Sequence, residues 1–128
     1  MKKKILIVIA NYYKDVSEAL LKSTKEELNK FAKIKIIEVP GVFEIPVTIV
    51  KNIKKFDAFV ALGCVIQGET PHFKFISKSA IDSIMNISVD YKKPIGNGIL
   101  TCLNKDQANA RVKKGAEAAH AVKSVLTQ

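Results

Sequence analysis

The residues best suited to chemistry lie in one run, Gln67-Gly68-Glu69-Thr70-Pro71-His72, set between an apolar segment from Phe59 to Ile66 and an apolar stripe at helical spacing. That order predicts a turn from a buried strand into a helix. Thr70 offers a side-chain oxygen as a cap, Pro71 suits a first helical position where a missing N–H costs nothing, and Gly68 allows a sharp approach. A helix begun at His72 presents free backbone N–H groups and the positive end of its dipole, a seat for an anion such as phosphate. The same end disfavours a second positive charge, so an imidazole there is placed to accept a proton. Threonine-proline is also common punctuation at a helix start, and a lone histidine in a first turn is usually just solvated. The run therefore gains meaning only from what surrounds it.

Three further features could share a site with it. Tyr12 and Tyr13 stand at the end of the first apolar run; an aromatic there can stack on a flat heterocycle or can simply cover the sheet edge. In Val39-Pro40-Gly41-Val42-Phe43-Glu44-Ile45-Pro46 two prolines bracket a glycine and a carboxylate. Glu44 could accept hydrogen bonds from the hydroxyls of a sugar-like ligand, or be an acid favoured by a helix start. Arg111 is the single arginine among 21 basic residues, and its rigid fork matches carboxylate and phosphate as lysine does not. No glycine-rich turn follows the first strand and no phosphate-loop motif occurs, which argues against a dinucleotide or ATP module.

The elements that must position these residues are legible in the apolar pattern. Residues 4–10, continuously apolar from Ile5 on, carry the mark of a strand covered on both faces. Asp15, with Glu18 three residues on, predicts a capped helix reaching about Ala32, with Val16, Ala19, Leu20, Leu28 and Phe31 as its stripe. Strands follow over 34–39, 57–66 and 94–102. A helix over 43–53 tolerates Pro46 only in its first turn. The helix from Pro71 to about Val89 carries two apolar faces: Phe73, Ile76, Ala80, Ile84 and Ile87 suit the sheet, and Phe75, Ile81 and Met85 suit a partner subunit. Asn104 to Gln107 signals a last helix with the stripe Ala108, Val112, Ala116, Ala119, Val122 and Leu126. Four β-α units with short connections predict one domain over residues 1–128, a three-layer α/β/α fold around a four-stranded parallel sheet. Ligands then bind beyond the strands' carboxyl ends, at Asn11-Tyr12, residues 40–44 and residues 66–72.

Composition sets the outer bounds. The chain has 128 residues, 48% of them hydrophobic, with a mean hydropathy of +0.10 and a formal net charge of +9. Its lysines are scattered over polar helix faces without aromatic interleaving, which points to a solvated surface and no nucleic-acid partner. The lysine-led amino terminus looks like a signal peptide, but the apolar run is short and ends in Asn11-Tyr12-Tyr13-Lys14-Asp15, so a buried strand is expected. No apolar run is long enough for a membrane span. Cys64 and Cys102 have no metal-ligand spacing and are expected to be core thiols of a cytoplasmic protein.

The segment 39–46, taken with Ala61-Leu62-Gly63-Cys64-Val65-Ile66-Gln67-Gly68-Glu69-Thr70-Pro71-His72-Phe73, resembles the lumazine synthase family. Asn97-Gly98-Ile99-Leu100-Thr101, Asp106-Gln107-Ala108, Arg111 and Lys114-Gly115-Ala116-Glu117-Ala118-Ala119 fit the same pattern. The resemblance implies a flavodoxin-like sheet and a condensation that builds 6,7-dimethyl-8-ribityllumazine from 5-amino-6-(D-ribitylamino)uracil and 3,4-dihydroxy-2-butanone 4-phosphate, without a cofactor. It implies that Tyr12 stacks on the pyrimidine, that Val42, Phe43 and Glu44 hold the ribityl chain, and that Cys64, Val65 and Ile66 read the uracil edge through backbone. Glu69, Thr70 and Arg111 would bind phosphate, and His72 would relay protons. Asn97 and Arg111 would come from a neighbouring subunit, which makes a homo-oligomeric ring part of the site. The chain departs from the family in beginning almost at the first strand and in a short link between Arg111 and Lys114, which leaves Lys113 and Lys114 both open to the family's lysine role near the phosphate. Those departures favour an isolated pentamer over a shell, and Asn97 stands where an aromatic is frequent.

Overall fold

Ile5, Ile7 and Ile9 pack on one side of the first strand and Leu6, Val8 and Ala10 on the other, and all six are buried. A strand of that kind must have helices over both faces, and the computed structural model, which describes residues 2–128, supplies them. The elements are β1 (Lys3–Ala10), α1 (Lys14–Leu28), β2 (Ala32–Val39), a 3-10 turn at Val42–Glu44, α2 (Ile45–Lys51), β3 (Ala58–Ile66), α3 (His72–Tyr91), β4 (Ile95–Cys102), α4 (Lys105–Ala110) and α5 (Lys114–Leu126). The four strands run parallel in the order β2-β1-β3-β4. The fold is thus three-layer α/β/α with flavodoxin-like order.

The two inner strands divide the core. Val60, Leu62 and Cys64 of β3 join the odd residues of β1 beneath α1 and α5, against Val16, Leu20, Ala118, Ala119 and Val122. Phe59 and Ala61 join the even residues of β1 beneath α2 and α3, against Ile45, Ile49, Ala80 and Ile84. Burying each large aliphatic or aromatic side chain of this kind contributes about 1.5–3 kcal/mol, so the layers are held chiefly by these two faces. No helix among the described residues is long and apolar enough to cross a membrane.

Several local expectations shift. Asp15 does not cap α1: the N-cap is Tyr13, without a side-chain hydrogen bond, and the Asp15 carboxylate lies 3.2 Å from the Lys105 ammonium instead. The helix stops at Leu28, and Ala32 already belongs to β2. The expected last helix is two, α4 and α5, parted by the turn at Arg111–Lys113. Asn104 does cap α4, its Oδ1 accepting the Gln107 N–H at 2.9 Å, while the Gln107 side chain accepts the Leu103 N–H at 2.8 Å. Pro46 sits in the first turn of α2, where its ring is harmless.

Gly96 lets α5 lie directly on β4. A Cβ there would come within 2.4 Å of the Ala118 carbonyl oxygen, a backbone atom that cannot rotate away. Gly96→Ala is therefore expected to lower unfolding stability by ~1–3 kcal/mol through overpacking, read as a lower urea midpoint; an unchanged midpoint would show that α5 can shift at no cost.

Candidate active site

Strand order reverses between β1 and β3. The connection from β1 leads outward to β2 and that from β3 outward to β4, so the chain parts at the carboxyl ends of the inner strands and leaves a crevice. A cavity of about 350 Å3 opens there, lined by Tyr12 and Tyr13, Gly41 to Phe43, Cys64 to Ile66, His72 and Ile76, with Ala10 at its base. The β1–β3 ladder ends at Ile9↔Leu62 while β3 runs on to Ile66. The β1-facing edge of Cys64, Val65 and Ile66 has no strand partner, so backbone groups there are available to a ligand.

Each wall has a local cause. After β1 the buried Ser17 hydroxyl donates to the Ala10 carbonyl at 3.0 Å, fixing the first turn of α1 to the strand end. Tyr13 is half-buried, whereas Tyr12 is 75% exposed, and the rings meet edge-on with centroids 4.9 Å apart and planes at 76°. The turn at Val42–Glu44 is pressed onto β3 because Gly63 has no side chain: a Cβ there would stand 2.6 Å from Val42 Cγ1. Phe43 is left exposed at the mouth, and Glu44 is half-buried with its carbonyl accepting the Thr48 hydroxyl at 2.8 Å. Glu44 is the last residue of this turn and does not line the cavity.

The turn into α3 differs by one residue from expectation. Pro71 is the N-cap and His72 the first helical residue. The Thr70 hydroxyl accepts the His72 backbone N–H at 3.3 Å, one place earlier than a capping side chain usually stands. Glu69, Thr70 and His72 are exposed, and His72 alone of the three lines the cavity. The Gln67 N–H donates to the Cys102 carbonyl at 2.9 Å and so holds the end of β3 against β4. Both cysteines are free and buried. Burial first, and the neighbouring Cys102 second, push the Cys64 thiol up to about 11.

Asn97 and Arg111 do not reach this cavity. They line another, of about 480 Å3, together with Ile81, Lys113, Lys114 and Glu117. Asn97 belongs to the outer strand β4 and accepts the Ile99 N–H at 3.0 Å, and Arg111 is exposed at the C-cap of α4. One chain thus gathers Tyr12, Val42, Phe43, Cys64, Val65, Ile66 and His72, with Glu44, Glu69 and Thr70 beside them in sequence, and keeps the arginine apart. Ile76 and Gly63 were not anticipated as site residues. Ile76 lies four residues beyond His72, on the same side of α3, a spacing that could have marked it. Among the described residues no group of three or more His, Cys, Asp or Glu side chains could hold a metal ion.

The model of the protein family described as 6,7-dimethyl-8-ribityllumazine synthase matches residues 2–128. Among similar proteins, 6,7-dimethyl-8-ribityllumazine synthase 1 of Rhodopseudomonas palustris is 40% identical over 136 residues, covering 96% of this chain and 83% of the relative. The 6,7-dimethyl-8-ribityllumazine synthase of Agrobacterium fabrum is 41% identical, covering 98% of this chain and 93% of its own. That of Bartonella tribocorum is 43% identical over 89% of this chain and 80% of its own.

With a thiol pKa of about 11, Cys64 is protonated at pH 8 although it lines an open cavity. Iodoacetamide is expected to leave Cys64 unmodified at pH 8 and to label it only as pH rises above about 10, followed by peptide mass spectrometry in folded protein. Rapid labelling at pH 8 would contradict the assigned environment.

Proposed function

Because the chain belongs to the 6,7-dimethyl-8-ribityllumazine synthase family, we propose that the crevice at its β1–β3 switch point condenses 5-amino-6-(D-ribitylamino)uracil with 3,4-dihydroxy-2-butanone 4-phosphate. The product is 6,7-dimethyl-8-ribityllumazine, with phosphate and water released, the penultimate step of riboflavin biosynthesis. The observation that carries this placement is the single cavity holding an exposed tyrosine ring, an unpaired strand edge and the histidine that opens a 20-residue helix.

In this reading Tyr12 stacks on the pyrimidine and the free edge of Cys64, Val65 and Ile66 pairs with its polar rim. Val42, Phe43 and Glu44 hold the ribityl chain, whose hydroxyls suit a carboxylate acceptor. The pyrimidine's own amine is the nucleophile towards the ketone, so the reaction requires no cofactor. His72 moves protons as the imine forms and as phosphate is eliminated, within reach of both events because it opens α3 at the cavity wall. Glu69, Thr70 and the amino end of α3 seat the phosphate, and Arg111 clamps it with a bidentate fork. Holding two substrates in register lowers the barrier further by removing the entropic cost of their encounter.

We assign Asn97 and Arg111 to the site of a neighbouring copy. Support comes from their separate cavity, which is lined by the cationic side chains that the crevice of the same chain lacks. The outward face of α3, with Phe75, Met85 and Val89 exposed, offers apolar surface through which copies could close a ring, and a pentamer is the favoured count. Lys113 and Lys114 both line the cavity of Arg111, so either ammonium can share the anion. The cytoplasm, where both free thiols stay reduced, is the compartment this reading favours.

His72→Ala is expected to lower kcat on the order of a hundredfold with little change in either KM, in a fluorescence assay of lumazine formation; wild-type kcat would remove His72 from the proton path. Arg111→Ala is expected to raise KM for the butanone phosphate on the order of ten- to a hundredfold while leaving the KM of the pyrimidine. Unfolded together, refolded as a mixture and assayed at butanone phosphate far below the raised KM, the two impaired variants should show more activity than the average of the two alone, since some sites then combine an intact His72 with an intact Arg111. A mixture no more active than that average would place the whole site in one chain.

A further inference from the structure

Tyr12 is the most exposed of the large hydrophobic side chains that line the crevice, and it stands in the turn between β1 and α1, outside any helix. Its ring rests edge-on against Tyr13, which is half-buried and lies on the cavity wall. Over the Tyr13 ring, 5.7 Å from its centroid, stands the ammonium of Lys105, the first residue of α4. That ammonium is fixed in turn by Asp15 of α1, 3.2 Å away. The hydrogen bond with Lys105 is also the leading reason that the Asp15 carboxyl sits below its ordinary range. Three elements, the turn after β1, the start of α1 and the start of α4, therefore meet on one cation.

The position of the cation is unexpected on local grounds. An ammonium at the amino end of a helix opposes the dipole, and the acid one residue on, Asp106, does not pair with it; Asp15 does, from another element. Desolvation, and next the adjoining Tyr12, raise the pKa of Tyr13. Its hydroxyl therefore stays protonated and its ring neutral, as a cation–π contact requires.

We propose that Lys105, oriented by Asp15, is a positioning residue that fixes the Tyr13 ring and through it the stacking face of Tyr12. Lys105 touches no substrate. It acts by narrowing the orientations open to an exposed ring before the pyrimidine arrives, so that less rotamer freedom is lost on binding. The inference rests on the reading above in which Tyr12 stacks on the pyrimidine.

Lys105→Ala and Lys105→Arg test it in the assembled enzyme, with KM measured separately for the two substrates. Lys105→Ala should raise KM for the pyrimidine on the order of three- to tenfold, leaving kcat and the KM of the butanone phosphate within twofold. Lys105→Arg, which keeps the charge over the ring, should restore the wild-type value, and Asp15→Asn should reproduce part of the loss. Tyr12→Ala separates the two layers of the argument. Where Tyr12→Ala raises the pyrimidine KM, adding Lys105→Ala to it should change nothing more; an additive double variant, or a Lys105→Ala enzyme with unchanged KM, overturns the positioning role alone. Where Tyr12→Ala itself leaves that KM untouched, the stacking reading falls and this one with it. A thermal midpoint lowered in Lys105→Ala together with both KM values would show a general structural role instead.

Discussion

The two inner strands are sealed on both faces, and that constraint decides where this chain can do chemistry. Every residue of β3 from Ala58 to Cys64 is buried, as is β1 from Ile5 onward. A polar side chain along either strand would be desolvated without a partner. Functional groups are thus confined to the turns at the strands' carboxyl ends, where the order reversal pulls the connections apart. The same sealing explains Gly63: a close approach between the turn at Val42–Glu44 and β3 narrows the crevice, and only a residue without Cβ permits it.

The buried strands were readable because continuous apolar runs have one economical explanation, cover on both faces. Helix ends were less readable because tertiary contacts overrode local preference. Asp15 is a good capping residue by type, yet its carboxylate is drawn to Lys105, ninety residues away in sequence, and α1 begins without a side-chain cap. The apolar stripe of the last helix runs through Val112 as though unbroken. The break at Arg111–Lys113 follows from how α5 meets α1: Gly115 seats against the Leu20 carbonyl, and the Ser23 hydroxyl donates to the Val112 carbonyl at 2.9 Å. Neither contact has a periodic signature.

The site divides along the same line. Residues at strand ends and in the first turn of α3 could be placed from spacing alone, since topology brings strand ends together, and the cavity does contain Tyr12, Val42, Ile66 and His72. Asn97 and Arg111 could not, because their cavity opens on the far side of the outer strand. Spacing within one chain carries no information about what a second copy delivers. Only the family resemblance, which implies that both belong to one site, connects them.

The outward face of α3 bears on how such a second copy would dock. Phe75, Met85 and Val89 recur there at helical spacing, but Lys78 and Asp82 stand between them, bonded at 2.6 Å and both exposed. The apolar residues favour cover of any kind, since burial is non-directional. The ion pair does not: left in water it contributes little, and covered by an apolar wall it would lose hydration that its single mutual bond does not replace. A copy that covers the apolar residues must therefore either leave the pair at a wet rim or supply polar partners to it. That requirement restricts orientation far more than the apolar area does, and a site shared between copies needs one orientation only.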